Sequence, residues 1–256
     1  MADTAPLRLF CLPYAGAGTT VFNRWPAALG SGVDVVPIEL PGRDRRRADT
    51  SPIRPEAVAH GLLPLLDRPF AVFGHSFGAQ LGFEVLRALR SWGAPEAVAL
   101  IVSGCRPPDL PDGGGWYDNC SQLDDATLVA RLVAGGGIPA ELADCQDLLQ
   151  LFVPAFRADF GWLDHYRFRP EPPLATPLVA LAGRADPIAP AADMHGWRRQ
   201  SAASFALHLV EGGHFFLRES FAEVTALVTA VLTEALAKVT ADQISIRVGE
   251  KDHAQA

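Results

Sequence analysis

The run Phe70-Ala71-Val72-Phe73-Gly74-His75-Ser76-Phe77-Gly78 decides how the rest of the chain is read. Its apolar start has the composition of a buried strand, and the residues from Phe77 to Ser91 space their apolar positions as a helix does. Between the two lies Gly-x-Ser-x-Gly, the spacing of a sharp, strained strand-to-helix turn in which the residues flanking the serine must lack bulk. Gly74 and Gly78 meet that demand and leave the Ser76 hydroxyl exposed at the carboxyl end of the strand. The helix beginning at Phe77 aims backbone N–H groups at the same place, where they can stabilise a developing anion. The bare pattern arises often by chance; the strand before it and the helix after it give it meaning.

Outward from this turn, short apolar runs alternate with helical segments, the pattern of strands joined by helical crossovers in a mostly parallel sheet. The strands expected are Arg8–Leu12, Val33–Ile38, Phe70–Gly74, Ala97–Ser103, Leu178–Ala182 and Phe205–Val210, with helices at Pro55–Leu66, Phe77–Ser91, Ala191–Gln200 and Glu219–Lys238. The alternation stops between Ser103 and Leu178, a stretch too long for an ordinary loop. It carries helical segments near Asp124–Ala134 and Ala140–Tyr166 and is read as a helical lid inserted over about 105–172. Its two borders, Pro107 to Gly115 and Pro170-Glu171-Pro172-Pro173, are rich in structure-punctuating residues, so a lid hinged and mobile relative to the sheet is expected. One α/β domain over 1–240 follows, and the polar end, 241–256, reads as a flexible tail.

Composition narrows the function. With 256 residues, 49% hydrophobic and 20% charged, the chain can bury one sizeable core. A formal charge of −7 argues against binding nucleic acid, which needs an excess of Lys and Arg. The local exception is Arg43, Arg45, Arg46 and Arg47. The N-terminus shows no signal-peptide pattern, and no uninterrupted apolar run approaches membrane-spanning length, so a cytoplasmic protein with no membrane association is expected. Cys11, Cys105, Cys120 and Cys145 form no Cys-x-x-Cys pair and read as reduced structural thiols.

A serine hydroxyl is a weak nucleophile until a base takes its proton, and that base must be oriented by an acid. The sheet pattern, the serine turn and the long helical insertion together specify the α/β-hydrolase fold, in which nucleophile, acid and histidine follow in that order along the chain. Of His165, His195, His208, His214 and His253, only His214 directly follows the last strand in a glycine loop, Glu211-Gly212-Gly213-His214-Phe215-Phe216. Asp186 in Gly183-Arg184-Ala185-Asp186-Pro187 stands just beyond the preceding strand and is the expected acid. Asp193, a few residues into the next helix, is its nearest rival; Asp159 and Asp164 are weaker, because an orienting acid needs a mount more rigid than a lid.

The loop Pro13-Tyr14-Ala15-Gly16-Ala17-Gly18 is small enough for its amides to approach a substrate, so the backbone N–H groups of Ala15 and Phe77 are the expected oxyanion donors. Gly16-x-Gly18 after a strand, with Glu39 ending the second strand, also admits a dinucleotide-loop reading, but Val21 stands where the third glycine belongs. No metal-ligand spacing is present, and no metal or bound cofactor is expected. Phe152, Phe156, Phe160, Trp162 and Tyr166 recur at helical spacing, as core or as the wall of an acyl channel.

The sequence resembles the type II thioesterases that accompany polyketide synthases and nonribosomal peptide synthetases. The resemblance covers roughly Leu7 to Leu236 and rests on Leu12-Pro13-Tyr14-Ala15-Gly16-Ala17-Gly18, Glu39-Leu40-Pro41-Gly42-Arg43 and Gly74-His75-Ser76-Phe77-Gly78-Ala79. Pro154 to Phe160, Gly183 to Pro187 and Gly212 to Leu217 add to it. It implies hydrolysis of aberrant or stalled acyl thioesters on acyl carrier protein or peptidyl carrier protein domains, with the phosphopantetheine carried by the substrate. It implies Ser76, Asp186 and His214 as nucleophile, acid and base, and the Ala15 and Phe77 amides as oxyanion donors. Tyr14 and Ala17 are a mild departure where the family also has His and Gly. A monomer is expected, and the arginine cluster could steer acidic carriers. The rival readings are a product-releasing thioesterase, a general esterase and a non-enzymatic binding protein on the same fold.

Overall fold

The computed structural model describes residues 5–110, 118–138 and 145–253. Six strands, β1 (Leu7–Leu12), β2 (Val33–Pro37), β3 (Phe70–His75), β4 (Ala99–Ser103), β5 (Leu178–Gly183) and β6 (Phe205–Val210), form one sheet in the order β2-β1-β3-β4-β5-β6. Every pairing is parallel. The helices are α1 (Trp25–Leu29), α2 (Pro55–Leu62), α3 (Phe77–Ser91), α4 (Asp125–Ala134), α5 (Gln146–His165), α6 (Ala191–Met194), α7 (Phe216–Glu219) and α8 (Phe221–His253). This is the α/β-hydrolase architecture expected from the sequence.

Strands buried on both faces must be apolar throughout, and β1, β3, β4 and β5 are fully buried. Their alternate residues feed two separate cores. Phe10, Leu12, Phe70 and Val72 point into one with Leu81, Val85 and Leu89 of α3. Leu7, Leu9, Ala71 and Phe73 point into the other with Trp25 of α1 and Val224, Val228 and Leu232 of α8. Removing each large apolar side chain from water contributes roughly 1.5–3 kcal/mol. Phe221–Ala241 is long and apolar enough to cross a membrane by length and composition; the four-residue spacing of Val224, Val228 and Leu232 instead seats it against the sheet.

The strand order reverses at β1, which has β2 on one side and β3 on the other. A crevice opens at the carboxyl ends of the strands at such a switch point. The loops that leave β1 and β3 there are the two singled out in the sequence, residues 13–18 and the turn at Ser76.

Element boundaries differ from expectation chiefly in the helices. The helices expected at Pro55–Leu66 and Ala191–Gln200 tighten into 3-10 turns at Leu63–Leu65 and His195–Gln200; Pro64 cannot donate the backbone bond an α-helix would need. The last helix does not end at Lys238: backbone through His253 is helical, as a segment without proline and without glycine before Gly249 permits. The run Gly113 to Gly115 and the expected start of the second lid helix at Ala140 lie outside the described residues. That helix is α5, beginning at Gln146.

Candidate active site

Ser76 adopts φ 53° and ψ −121°, a conformation rare for a residue with a Cβ, between the end of β3 and the first turn of α3. The surroundings enforce it. A Cβ on Gly74 would collide with the Gly78 carbonyl, and one on Gly78 with the Leu12 carbonyl, so strand, turn and helix approach more closely than any other residue type allows. The Ser76 N–H donates to the Ser103 carbonyl at 2.8 Å, tying the turn to β4. From Phe70 to Phe83 every residue is buried except Ser76.

His214 Nε2 lies 3.1 Å from Ser76 Oγ, and His214 Nδ1 lies 2.9 Å from Asp186 Oδ2. The three side chains come from the turns that follow β3, β5 and β6 at the carboxyl edge of the sheet. The other Asp186 oxygen, Oδ1, accepts from the Ile188 N–H at 2.8 Å and the Ala189 N–H at 3.0 Å, which orients the carboxylate. Burial pulls the Asp186 carboxyl upward, but the hydrogen bonds from His214, Ala189 and Ile188 outweigh it and hold the group below its ordinary value. The rivals are engaged elsewhere. Asp193 pairs with Arg106, Asp164 accepts from Ser121, and Asp159 pairs with Arg43.

Ala15 lines the cleft beside Ser76, and Phe77 opens α3. Among the described residues no hydrogen bond uses the N–H of Ala15 or of Phe77, so both amides are available to a ligand oxygen. The cleft encloses only about 20 Å³, room for about one water. Tyr14, Leu132, Phe156, Phe160 and Phe215 close it with apolar surface. The aromatic series in α5 therefore divides. Phe156 and Phe160 stack at 6.0 Å in the cleft wall, Trp162 packs edge-on against Phe77 at 5.7 Å, Tyr166 donates to Glu84, and Phe152 is exposed.

The profile of the family described as Thioesterase domain matches residues 7–234. The chain belongs to the thioesterase family. A Brevibacillus parabrevis protein, linear gramicidin dehydrogenase LgrE, is 35% identical, with 92% of this chain and 91% of that protein covered. The solved structure of RedJ, a thioesterase from the prodiginine pathway of Streptomyces coelicolor, superimposes with a TM-score of 0.80 at 34% identity, covering 89% of this chain and 86% of RedJ. BorB, the type II thioesterase from the borrelidin biosynthetic cluster, does so at 0.77 and 33%, covering 91% and 94%. The resemblance to type II thioesterases drawn from the motifs is thereby borne out, and the thioesterase is a hydrolase of thioesters.

In this thioesterase the Gly16 N–H donates to Asp159 and the Thr19 N–H to Asp44, each at 2.7 Å. A pyrophosphate in that loop would face two carboxylates, which argues against a dinucleotide there. The arginine run divides too. Arg43 turns inward, Arg45 pairs with Glu39, Arg46 pairs with Asp49, and Arg47 is exposed, so the run is not the uniform basic patch its composition suggested.

His75 occupies the variable position of the serine motif, which by pattern alone assigns it no role. Its ring is fully buried among Tyr14, Phe215, Phe216 and His214, with Nδ1 2.9 Å from Ser103 Oγ. Burial, reinforced by His214, pushes its pKa from an ordinary 6.5 down to about 3. Between those values the unfolded chain binds a proton that the fold does not, so stability is fully present above pH 6.5 and is lost as pH falls toward 3. Wild-type protein is expected to lose about 2 kcal/mol more than H75Q between pH 7 and pH 5, measured by urea unfolding. Equal losses would show that His75 is solvated in solution.

Proposed function

We propose that this thioesterase removes aberrant or stalled acyl groups from the phosphopantetheine arm of acyl or peptidyl carrier proteins, through Ser76, His214 and Asp186, in the cytoplasm and with no cofactor of its own. The observation that carries the reading is the continuous hydrogen-bonded chain Ser76 Oγ, His214 imidazole, Asp186 carboxylate at 3.1 and 2.9 Å, set under the apolar face of α5 in a chain of this family.

In this reading His214 Nε2 accepts the Ser76 proton as Oγ attacks the thioester carbonyl. Asp186 holds His214 with Nδ1 protonated, so that Nε2 keeps its lone pair, and steadies the imidazolium that forms. The oxyanion lies against the amides of Ala15 and Phe77 and the N-terminus of α3. Collapse of the tetrahedral intermediate breaks the C–S bond, and His214 returns the proton to the departing thiol. Water, deprotonated by His214, attacks the acyl-serine ester, and collapse of the second tetrahedral intermediate breaks the C–Oγ bond as His214 returns the proton to Ser76 Oγ and the acid leaves. The apolar lining from Leu132, Phe156, Phe160 and Phe215 suits an acyl chain, and a cleft of about 20 Å³ requires α4 or α5 to move before one enters.

A panel of acyl groups from acetyl to long chain, each offered on holo carrier protein, on coenzyme A and as an oxygen ester, tests the assignment. The highest kcat/KM is expected on carrier, across several chain lengths. Fastest cleavage of oxygen esters would overturn the carrier reading, and cleavage of a single finished product alone would overturn editing.

A further inference from the structure

Among the described residues of α5, Asp159 is the one wholly buried carboxylate, and the partners of its side chain lie outside the insertion. Its Oδ2 accepts from the Gly16 N–H at 2.7 Å and from Arg43 Nη1 at 2.7 Å; its Oδ1 accepts from Arg43 Nη2 at 2.5 Å. Arg43 is 6% exposed and gives its remaining bonds to the carbonyls of Ala17, at 3.0 Å, and Pro41, at 3.3 Å. Three segments far apart in sequence thus meet in one network: the loop after β1, the loop after β2 and helix α5.

The loop side of that network is a tight turn. Ala17 N–H donates to the Tyr14 carbonyl at 3.0 Å, and Gly16 carries a φ of +73°, as the third residue of a turn of this kind requires. Ala15, the residue between them, presents the free N–H beside Ser76. Phe156, one turn before Asp159 on the same face of α5, packs its ring on the Gly16 Cα so closely that any Cβ there would strike it. Helix α5 therefore braces the turn twice, with a ring from one side and a carboxylate on the Gly16 amide.

We infer that Asp159, oriented by Arg43, is a positioning residue that couples the seating of α5 to the alignment of the Ala15 amide, so that the oxyanion site is complete only when α5 is docked. Withdrawal of α5 would leave the Gly16 N–H and Arg43 without their acceptor and free the turn, removing half of the oxyanion site while leaving Ser76, His214 and Asp186 in place. The inference rests on the proposed serine mechanism and adds a dependence of that mechanism on the insertion.

The test compares wild-type protein with D159N and R43K, using an acyl-coenzyme A thioester as substrate, an alkyl boronic acid as mimic of the tetrahedral oxyanion, and the matching thioether as mimic of the ground state. Misalignment of an oxyanion donor is expected to lower kcat of D159N about 10²-fold. Boronate affinity should weaken in parallel, with KM and thioether affinity changing less than about threefold, since only interactions specific to the transition state are lost. R43K, which keeps the buried positive charge but not the fork, should lose about tenfold in kcat and boronate affinity. Circular dichroism checks that each variant folds, and R43K alone decides the matter if D159N does not. Unchanged kcat, or equal losses in boronate and thioether affinity, would overturn the inference. A wild-type protein insensitive to boronate, or an active S76A, would instead overturn the serine mechanism beneath it.

Discussion

Substituting Ser76 by alanine is expected to lower kcat by about 10⁶-fold on any acyl thioester, the scale of loss when a serine nucleophile is removed from such a triad. The substitution deletes only Oγ, whose one partner among the described residues is His214 Nε2 at 3.1 Å. Backbone at the turn is held by the Ser103 carbonyl and by the contacts of Gly74 and Gly78, none of which needs the hydroxyl. S76A should therefore melt within a few degrees of wild type and still bind acyl carrier protein, while residual hydrolysis reflects the amides and substrate binding alone. Turnover at wild-type rate, measured as free thiol released from acyl carrier, would remove Ser76 from the mechanism.

For Asp186→Asn a loss of about 10⁴-fold in kcat is expected with the fold intact. The Ile188 and Ala189 amides that bind Asp186 Oδ1 would select the asparagine carbonyl oxygen, which turns the asparagine NH₂ toward His214 Nδ1. His214 Nδ1 must then accept, placing the ring proton on Nε2, where it faces Ser76 and cannot take the hydroxyl proton. The rate loss should therefore appear with little change in KM, and a nitrogen-15 spectrum of the histidines should show the exchanged tautomer. A D186N protein with both wild-type kcat and the wild-type tautomer would deny Asp186 its orienting role.

The sheet, the serine turn and the three residues brought together at the candidate site were legible because each depends on local pattern. Strand β3 and helix α3 carry their periods on either side of Ser76, and the loops after β5 and β6 place Asp186 and His214 by their position alone. The Arg43–Asp159 pair was not legible, since its members stand 116 residues apart and each has a plausible local explanation, as part of a charge run or as a carboxylate in a helix. A signal was present: Asp159 follows Phe156 by three residues and precedes Phe160, so a charge sits in the apolar stripe of α5. A carboxylate in that position needs a buried partner. His75 was hidden for the same reason, as its aromatic cage is assembled from the loop after β1 and the segment from His214 to Phe216.

The strand order has a consequence for how the molecule comes into being during synthesis. Strands β2, β1, β3 and β4 are contiguous in the sheet and contiguous in the chain, spanning residues 7–103. They can pair on the ribosome before the insertion, β5 and β6 have been translated. That early half holds Ser76 and the Ala15 amide but neither Asp186 nor His214, which arrive only with the last two strands. On the proposed mechanism the nascent chain would carry its nucleophile without the base that arms it, and thioester hydrolysis would wait until the second half adds to the edge at β4.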